Sequence, residues 1–310
     1  MLPRLIFTSA LLLAMWRTPR ADSAYDTSLP RSNGCGDSAA LSWQPTRPRQ
    51  GALLRVRVSR VSRGTILSGA FAGEQLHFEH RGSDSSLAES FAAVPIDGDT
   101  SLRVEVRCSD GDRADTLVAQ IRSARGAYPV ERLRVAPDFG RPPDSALAQR
   151  IKQESEQAAE VARQSHETPR LWQKAFMRPR PSRITSGFGR GREFNGTITS
   201  RHMGTDFAGA LGAPVRAANR GVVRIVDGFY YGGNVVYIDH GNGLTTAYLH
   251  LSKQNVSAGD TVERGQIIGR VGATGRVTGP HLHLIVRYGG VTVDPMSLFA
   301  IAGESKSERP

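Results

Sequence analysis

Cysteine is scarce, with only Cys35 and Cys108 in 310 residues, and neither can supply the paired thiolates of a zinc finger. Long apolar runs are missing too: residues 5–16 form the longest, too short to span a bilayer comfortably, and no later stretch qualifies. A multi-span membrane protein is thereby excluded. With 39% hydrophobic and 22% charged residues, wholesale disorder is excluded as well. No His-Glu-x-x-His stretch occurs, so the commonest helical zinc-protease signature is absent. The chain also lacks a basic patch interleaved with aromatics, so its 40 basic against 29 acidic side chains, a formal charge of +11, give no reason to expect a nucleic-acid partner. The basic residues are mostly scattered arginines. Their tightest cluster, residues 178–183 with Pro179 and Pro181, reads as a solvated linker. The net charge does favour anionic surroundings such as a cell envelope.

Arg4 ahead of the apolar run, and Ala21-Asp22-Ser23 after it, have the layout of a secretory signal over residues 1–23. The mature protein is then exported, periplasmic or extracellular, and associated with the cell envelope. In such a compartment Cys35 and Cys108 can form a disulfide. The alternation Leu102, Val104, Val106, Cys108 puts Cys108 on the apolar face of a strand, so a buried free thiol is the other reading, and the sequence leaves both open.

The length suits two folded units with connecting pieces. Residues 24–137 carry short alternating runs separated by Gly, Ser and Asp, the spacing of a β-sandwich-like domain. Its role is unknown, and envelope proteins are its possible partners. His77 and His80 within it read as surface residues. Residues 138–181 form a helical linker: Asp144 is placed to cap a helix over residues 145–164, and Leu171, Trp172, Phe176 and Met177 are placed to pack against a neighbour. His166 in this linker reads as plain surface. Residues 182–300 are rich in Gly and β-branched residues and offer strands near 222–226, 234–239, 244–250, 266–271 and 281–288, an antiparallel β domain. Residues 301–310 are a polar tail. The fold class is mainly β.

Four of the five histidines in that last domain stand in three short motifs. His202-Met203-Gly204-Thr205-Asp206 separates an imidazole from a carboxylate by four, and the Gly and the β setting favour an extended segment with both on one face. His281-Leu282-His283 puts two imidazoles on one strand face and turns Leu282 the other way. His250 ends the alternating run Ala247-Tyr248-Leu249-His250-Leu251. Three imidazole or carboxylate donors with one open position compose a catalytic zinc centre, whereas a structural centre closes with four, usually including cysteine.

These motifs, with Ser186-Gly187-Phe188-Gly189 before them, Asp239-His240-Gly241-Asn242-Gly243 between them and Thr274-Gly275-Arg276-Val277-Thr278-Gly279-Pro280 leading into the histidine pair, resemble the LytM or lysostaphin type metallopeptidases, the M23 peptidases. The resemblance implies a LytM-type peptidase domain holding one Zn2+ per chain through His202, Asp206 and His283, with His250 and His281 as catalytic residues beside it. It implies hydrolysis of peptide cross-links or stems of bacterial peptidoglycan by metal-activated water, and makes His240 part of a hairpin turn. The alternative is a non-catalytic LytM-like module that binds wall or activates other hydrolases; members of that kind lose ligands, and here all five positions are present. The stretch 256–269 also resembles a biotinyl or lipoyl carrier, but Lys253 is the only lysine between Ile184 and Phe299 and no hairpin tip carries one. A chain starting near Pro181 is expected to keep the chemistry.

Overall fold

The computed structural model describes residues 35, 38–62, 64–81, 84–109, 114–140, 142–196 and 198–301. The apolar run at 5–16 and residues 302–310 of the polar tail lie outside them, while Ile301 ends the last helix. Among the described residues no helix is long and apolar enough to cross a membrane.

The first half folds as two four-stranded antiparallel sheets. Strands β1 (Ala40–Gln44), β2 (Leu53–Ser59), β3 (Ile66–Phe71), β4 (Glu74–Leu76), β5 (Glu79–Arg81), β6 (Asp84–Ala93), β7 (Ser101–Ser109) and β8 (Ala114–Arg122) are ordered β1-β2-β6-β5 and β4-β3-β7-β8. The period-2 pattern decides what faces inward. Leu54, Val56 and Val58 of β2 meet Phe71, Leu76, Val104 and Val106 across the layer, while Arg103, Glu105 and Arg107 face out. Cys35 and Cys108, both buried, are bonded to each other, so the disulfide and not the free thiol is what the structure holds.

Three strands form a sheet of their own. β9 (Val130–Leu133) leaves the sandwich and pairs in parallel with β11 (Gly191–Phe194), which pairs antiparallel with β12 (Ile198–Arg201). A 3-10 turn (Pro137–Gly140) and the α-helix α1 (Ser145–Gln164) lie between β9 and β11 in sequence, α1 being capped by Asp144, whose carboxylate accepts from Leu147 N.

The rest of the chain makes β10 (Ile184–Ser186), β13 (Thr205–Ala208), β14 (Pro214–Arg216), β15 (Gly221–Phe229), β16 (Gly233–Gly241), β17 (Leu244–Gln254), β18 (Thr261–Val262), β19 (Ile267–Val271), β20 (His281–Tyr288), β21 (Val291–Val293) and a short helix α2 (Pro295–Ile301). Its main sheet runs β10-β13-β20-β17-β16-β15-β18. One face buries Phe207, Val236, Ile238, Tyr248, Leu282 and Leu284. On the opposite face, Ala247 and Leu249 pack with Ala158 of α1, and next to them stand the titratable residues of β13 and β20. The helix thus covers part of a sheet face and leaves the remainder for chemistry.

A shared apolar cluster joins the two halves: Leu53 and Ala93 from the sandwich, Trp172 and Phe176 from the linker, and Leu244, Val286, Tyr288 and Leu298 from the second half. Leu53 N also donates to Ser297 Oγ at 2.8 Å. Three surface readings are corrected by this interface. His77 and His166 are half-buried and stack on each other, with Nε2 of His77 2.7 Å from Nδ1 of His166, whose Nε2 lies 3.0 Å from Glu74 Oε2. Burial and the neighbouring His166 push His77 down to about 4. The stretch 178–183 is docked in part: Arg178, Pro181 and Arg183 are exposed, but Pro179 is buried and Arg180 donates to the carbonyls of Ala208 and Pro214. An arginine with aligned backbone acceptors is held better there than in water alone. His80 is exposed, as the sequence suggests.

Candidate metal centre

Strand register assembles the site. Asp206 of β13 stands opposite His283 of β20, and Ala208 opposite His281, so Asp206 and His283 share a face and His281 follows two residues along it. His202 is not on the strand. It sits in the loop ahead of β13, so the expected extended run from His202 to Asp206 is corrected: the chain turns at Gly204 and brings the ring back over the carboxylate. That turn is tight. A Cβ on Gly204 would lie 2.4 Å from Leu284 O and 2.6 Å from His283 Nε2, so only glycine fits beneath the His283 ring.

Three donor atoms converge. His202 Nε2 is 3.0 Å from Asp206 Oδ1 and 2.9 Å from His283 Nδ1, and His283 Nδ1 is 2.7 Å from the same Oδ1. All three residues are buried. His202 Nδ1 lies 2.8 Å from Gly187 O. A carbonyl can only accept, so Nδ1 carries the ring proton and Nε2 presents a bare lone pair to an anionic oxygen. Such a pairing is repulsive without a cation between its members, and the donor set of two imidazoles and a carboxylate suits zinc with a position left open. The residues therefore fit a metal.

The electrostatics agree. Burial alone would raise the Asp206 carboxyl, but the imidazoles of His202 and His283 beside it outweigh burial and hold the group well below the usual carboxylate range. Burial pushes His283 down to about 4 against the opposing pull of Asp206. An ionised carboxylate and a neutral imidazole are the protonation states a metal needs.

His281 and His250 stand beside the triad. Their rings are 4.9 Å apart, His250 is 5.7 Å from the His283 ring, and His281 Nε2 is 3.6 Å from Asp206 Oδ1. Each donates Nδ1–H to a backbone carbonyl, His250 to Thr274 O at 2.9 Å and His281 to Gly279 O at 2.8 Å, which leaves both Nε2 atoms with free lone pairs. His250 has a backbone φ of 63°, a left-handed conformation rare outside glycine. It belongs to a β-bulge: between Asn234↔Leu251 and Val236↔Tyr248, β17 has one residue more than β16. The bulge lets Tyr248 and Leu251 share the core face while His250 is re-aimed at the histidine pair. Burial, with His283 and His281 nearby, pushes the His250 imidazole well below its ordinary value and keeps it neutral.

His240 joins none of this. Fully buried, it donates Nδ1–H to Arg220 O and lies 2.8 Å from Thr246 Oγ1, which is linked to Tyr248.

Several neighbours were not singled out as site residues by the sequence. Arg192 Nη2 is 2.8 Å from Asp206 Oδ2, the oxygen turned away from the histidines. Ser186 Oγ is 3.2 Å from His202 Nδ1 and donates to Glu131, at 3.1 and 3.2 Å from its two oxygens. Arg190 also donates to Glu131, at 3.0 Å. Two of the three converging residues are thus tied, through Arg192 and Ser186, to one carboxylate on β9. Ser186 and Arg276 lie inside recognisable motifs; Glu131, far upstream, has no local signal.

Residues 200–295 match the description Peptidase family M23. Peptidoglycan DD-endopeptidase ShyC of Vibrio cholerae is 41% identical over 133 residues, 42% of this chain and 30% of ShyC. ShyA of the same organism is 51% identical over 123 residues, 37% of this chain and 28% of ShyA. The chain thus spans less than a third of the length of these curated relatives. A crystal structure from Pseudomonas aeruginosa assigned to peptidase M23 shares the fold over 83% of this chain and 96% of its own, with a TM-score of 0.63 at 22% identity. The five clustered residues all lie within the segment of this chain, residues 200–295, that matches peptidase family M23.

Proposed function

We propose that the protein is a zinc metalloendopeptidase that hydrolyses peptide cross-links or stems of peptidoglycan outside the cytoplasm. The observation that carries this reading is the convergence of His202 Nε2, Asp206 Oδ1 and His283 Nδ1 within 3.0 Å of one another, with two further imidazoles presenting free Nε2 atoms beside them. One Zn2+ per chain, held by those three residues, would acidify water and polarise the scissile carbonyl. His250 and His281 are the catalytic residues. Their anchored Nδ1–H groups fix ring orientation, so one Nε2 can take a proton from the attacking water while the other, once protonated, donates to the oxygen that gains charge. Arg192 donates to the outer oxygen of Asp206 and holds that carboxylate in place.

The wall substrate is supported by the relatives named for peptidoglycan cleavage and by the +11 charge. Export is supported by the Cys35–Cys108 disulfide, a bond at home in an oxidising compartment, together with the signal-like residues 1–23. Purified murein is incubated with wild type, with chelator-treated protein and with His281→Ala, and released fragments are identified by mass spectrometry. Cleaved peptide bonds are expected with wild type alone. Undiminished release by the chelated protein or by the variant would sink the proposal.

A further inference from the structure

A cavity of about 570 Å3 opens beside the metal centre, lined among others by Glu131, Arg192, Phe194, Asp206, Arg276 and His281. Most of its charges are committed. Glu131 accepts from Ser186 and Arg190, and Arg192 donates to Asp206. Arg276 is different. Its guanidinium carbon lies 4.1 Å from the centre of the Phe194 ring and 4.0 Å from that of Tyr231, and among the described residues no carboxylate or carbonyl accepts a hydrogen bond from its side chain. Aromatic rings stabilise the cation through its faces and leave the N–H edge, with five donors in a fixed fork, without acceptors. Burial pushes this guanidinium below its ordinary value against the opposing pull of Tyr231, and among the described residues no carboxylate pairs with it.

The position is built. Arg276 N donates to Tyr231 O at 2.9 Å, and a Cβ on Gly275 (φ +74°) would come within 2.4 Å of Gly233 N. The loop is therefore pressed onto the turn between β15 and β16. Thr274, two residues before Arg276, is the acceptor that orients His250. The fork and the proposed catalytic imidazole are set by one segment.

We propose that Arg276 is the specificity-determining residue of a substrate subsite that takes a free carboxylate borne by a residue flanking the scissile bond. A planar carboxylate matches the guanidinium edge bidentately, and it is the anion a peptide supplies. The inference rests on the peptidase reading for the cavity's substrate, and its test separates the two.

The probes are a short peptide with a D–D bond ending in a free carboxylate and the same peptide ending in a carboxamide. Wild type is expected to favour the acid by about 10- to 100-fold in kcat/KM, the range of one charge-assisted hydrogen-bonded pair. In Arg276→Gln that ratio falls toward one, and Arg276→Lys, which keeps the charge without the fork, falls between. If Arg276 were only a structural clamp, both rates would drop together with the ratio preserved, and that result overturns the inference. Wild type without preference overturns it also, whatever the variants do. Calorimetric binding of both peptides to chelator-treated full-length protein adds a readout independent of turnover. Tighter binding of the acid, lost in Arg276→Gln, supports the subsite even if neither peptide is cut, an outcome that would count against the peptidase reading alone.

Discussion

At the residue scale, the site depends on one missing side chain. Gly204 lies against His283, and Gly204→Ala forces either the ring or the β20 backbone to move by several tenths of an ångström. Loss of stoichiometric zinc is the expected outcome, with a melting temperature of the chelated protein lowered by only a few degrees; zinc retained at one per chain would show that the ring can yield. His240 is the opposite case, a histidine whose work is packing. Its chain of bonds to Arg220 O, Thr246 and Tyr248 is satisfied by a neutral ring, and burial pushes it down to about 4. The unfolded chain binds this proton near 6.5, so the stabilisation is present above that pH and is lost as pH falls from 6.5 toward 4. The loss amounts to about 3 kcal/mol over the window. Urea midpoints of chelated protein at pH 7.5 and 5.0 should therefore differ more for wild type than for His240→Gln.

At the scale of elements, β9 matters more than its four residues suggest. Its parallel pairing sets Glu131 opposite Arg192, and from there the carboxylate steadies Arg192, Ser186 and, through them, Asp206 and His202. Groups in this outer position typically change metal affinity by about 10- to 100-fold. Glu131→Gln should weaken zinc retention in a chelator competition by about ten-fold while leaving the melting of the metal-free protein nearly unchanged. Equal zinc affinity in variant and wild type would reduce β9 to an edge strand. The β17 bulge is the other decisive element, because without its extra residue His250 would follow the strand alternation away from its partners.

For the whole molecule, the two halves are one packed body, which changes the expectation for a shortened chain. Starting near Pro181 removes Trp172, Phe176, α1 and Glu131, and uncovers Leu244, Val286, Tyr288 and Leu298. Burying the two aromatic side chains alone contributes about 2–3 kcal/mol each. A chain beginning at residue 182 should melt about 10 °C or more below the full chain and hold zinc less tightly; circular dichroism and chelator titration check both, and a shortened chain equal in each would mean the first half is dispensable. Much was legible beforehand. Alternation marked the strands of both halves, Asp144 marked the start of α1, and residue type, short spacing and a family resemblance singled out His202, Asp206, His250, His281 and His283, which the structure brings together. The sequence by itself determined the candidate residues, the face that His281 and His283 share on one strand, and the β class, since those follow from periods of two and from side-chain chemistry. Only the tertiary structure decided that Glu131 backs the site, that His77 and His166 meet at an interface, that Arg276 lacks an acceptor and that the two cysteines join. These are contacts between residues far apart in the chain, fixed by strand pairing and burial, and no local pattern carries them.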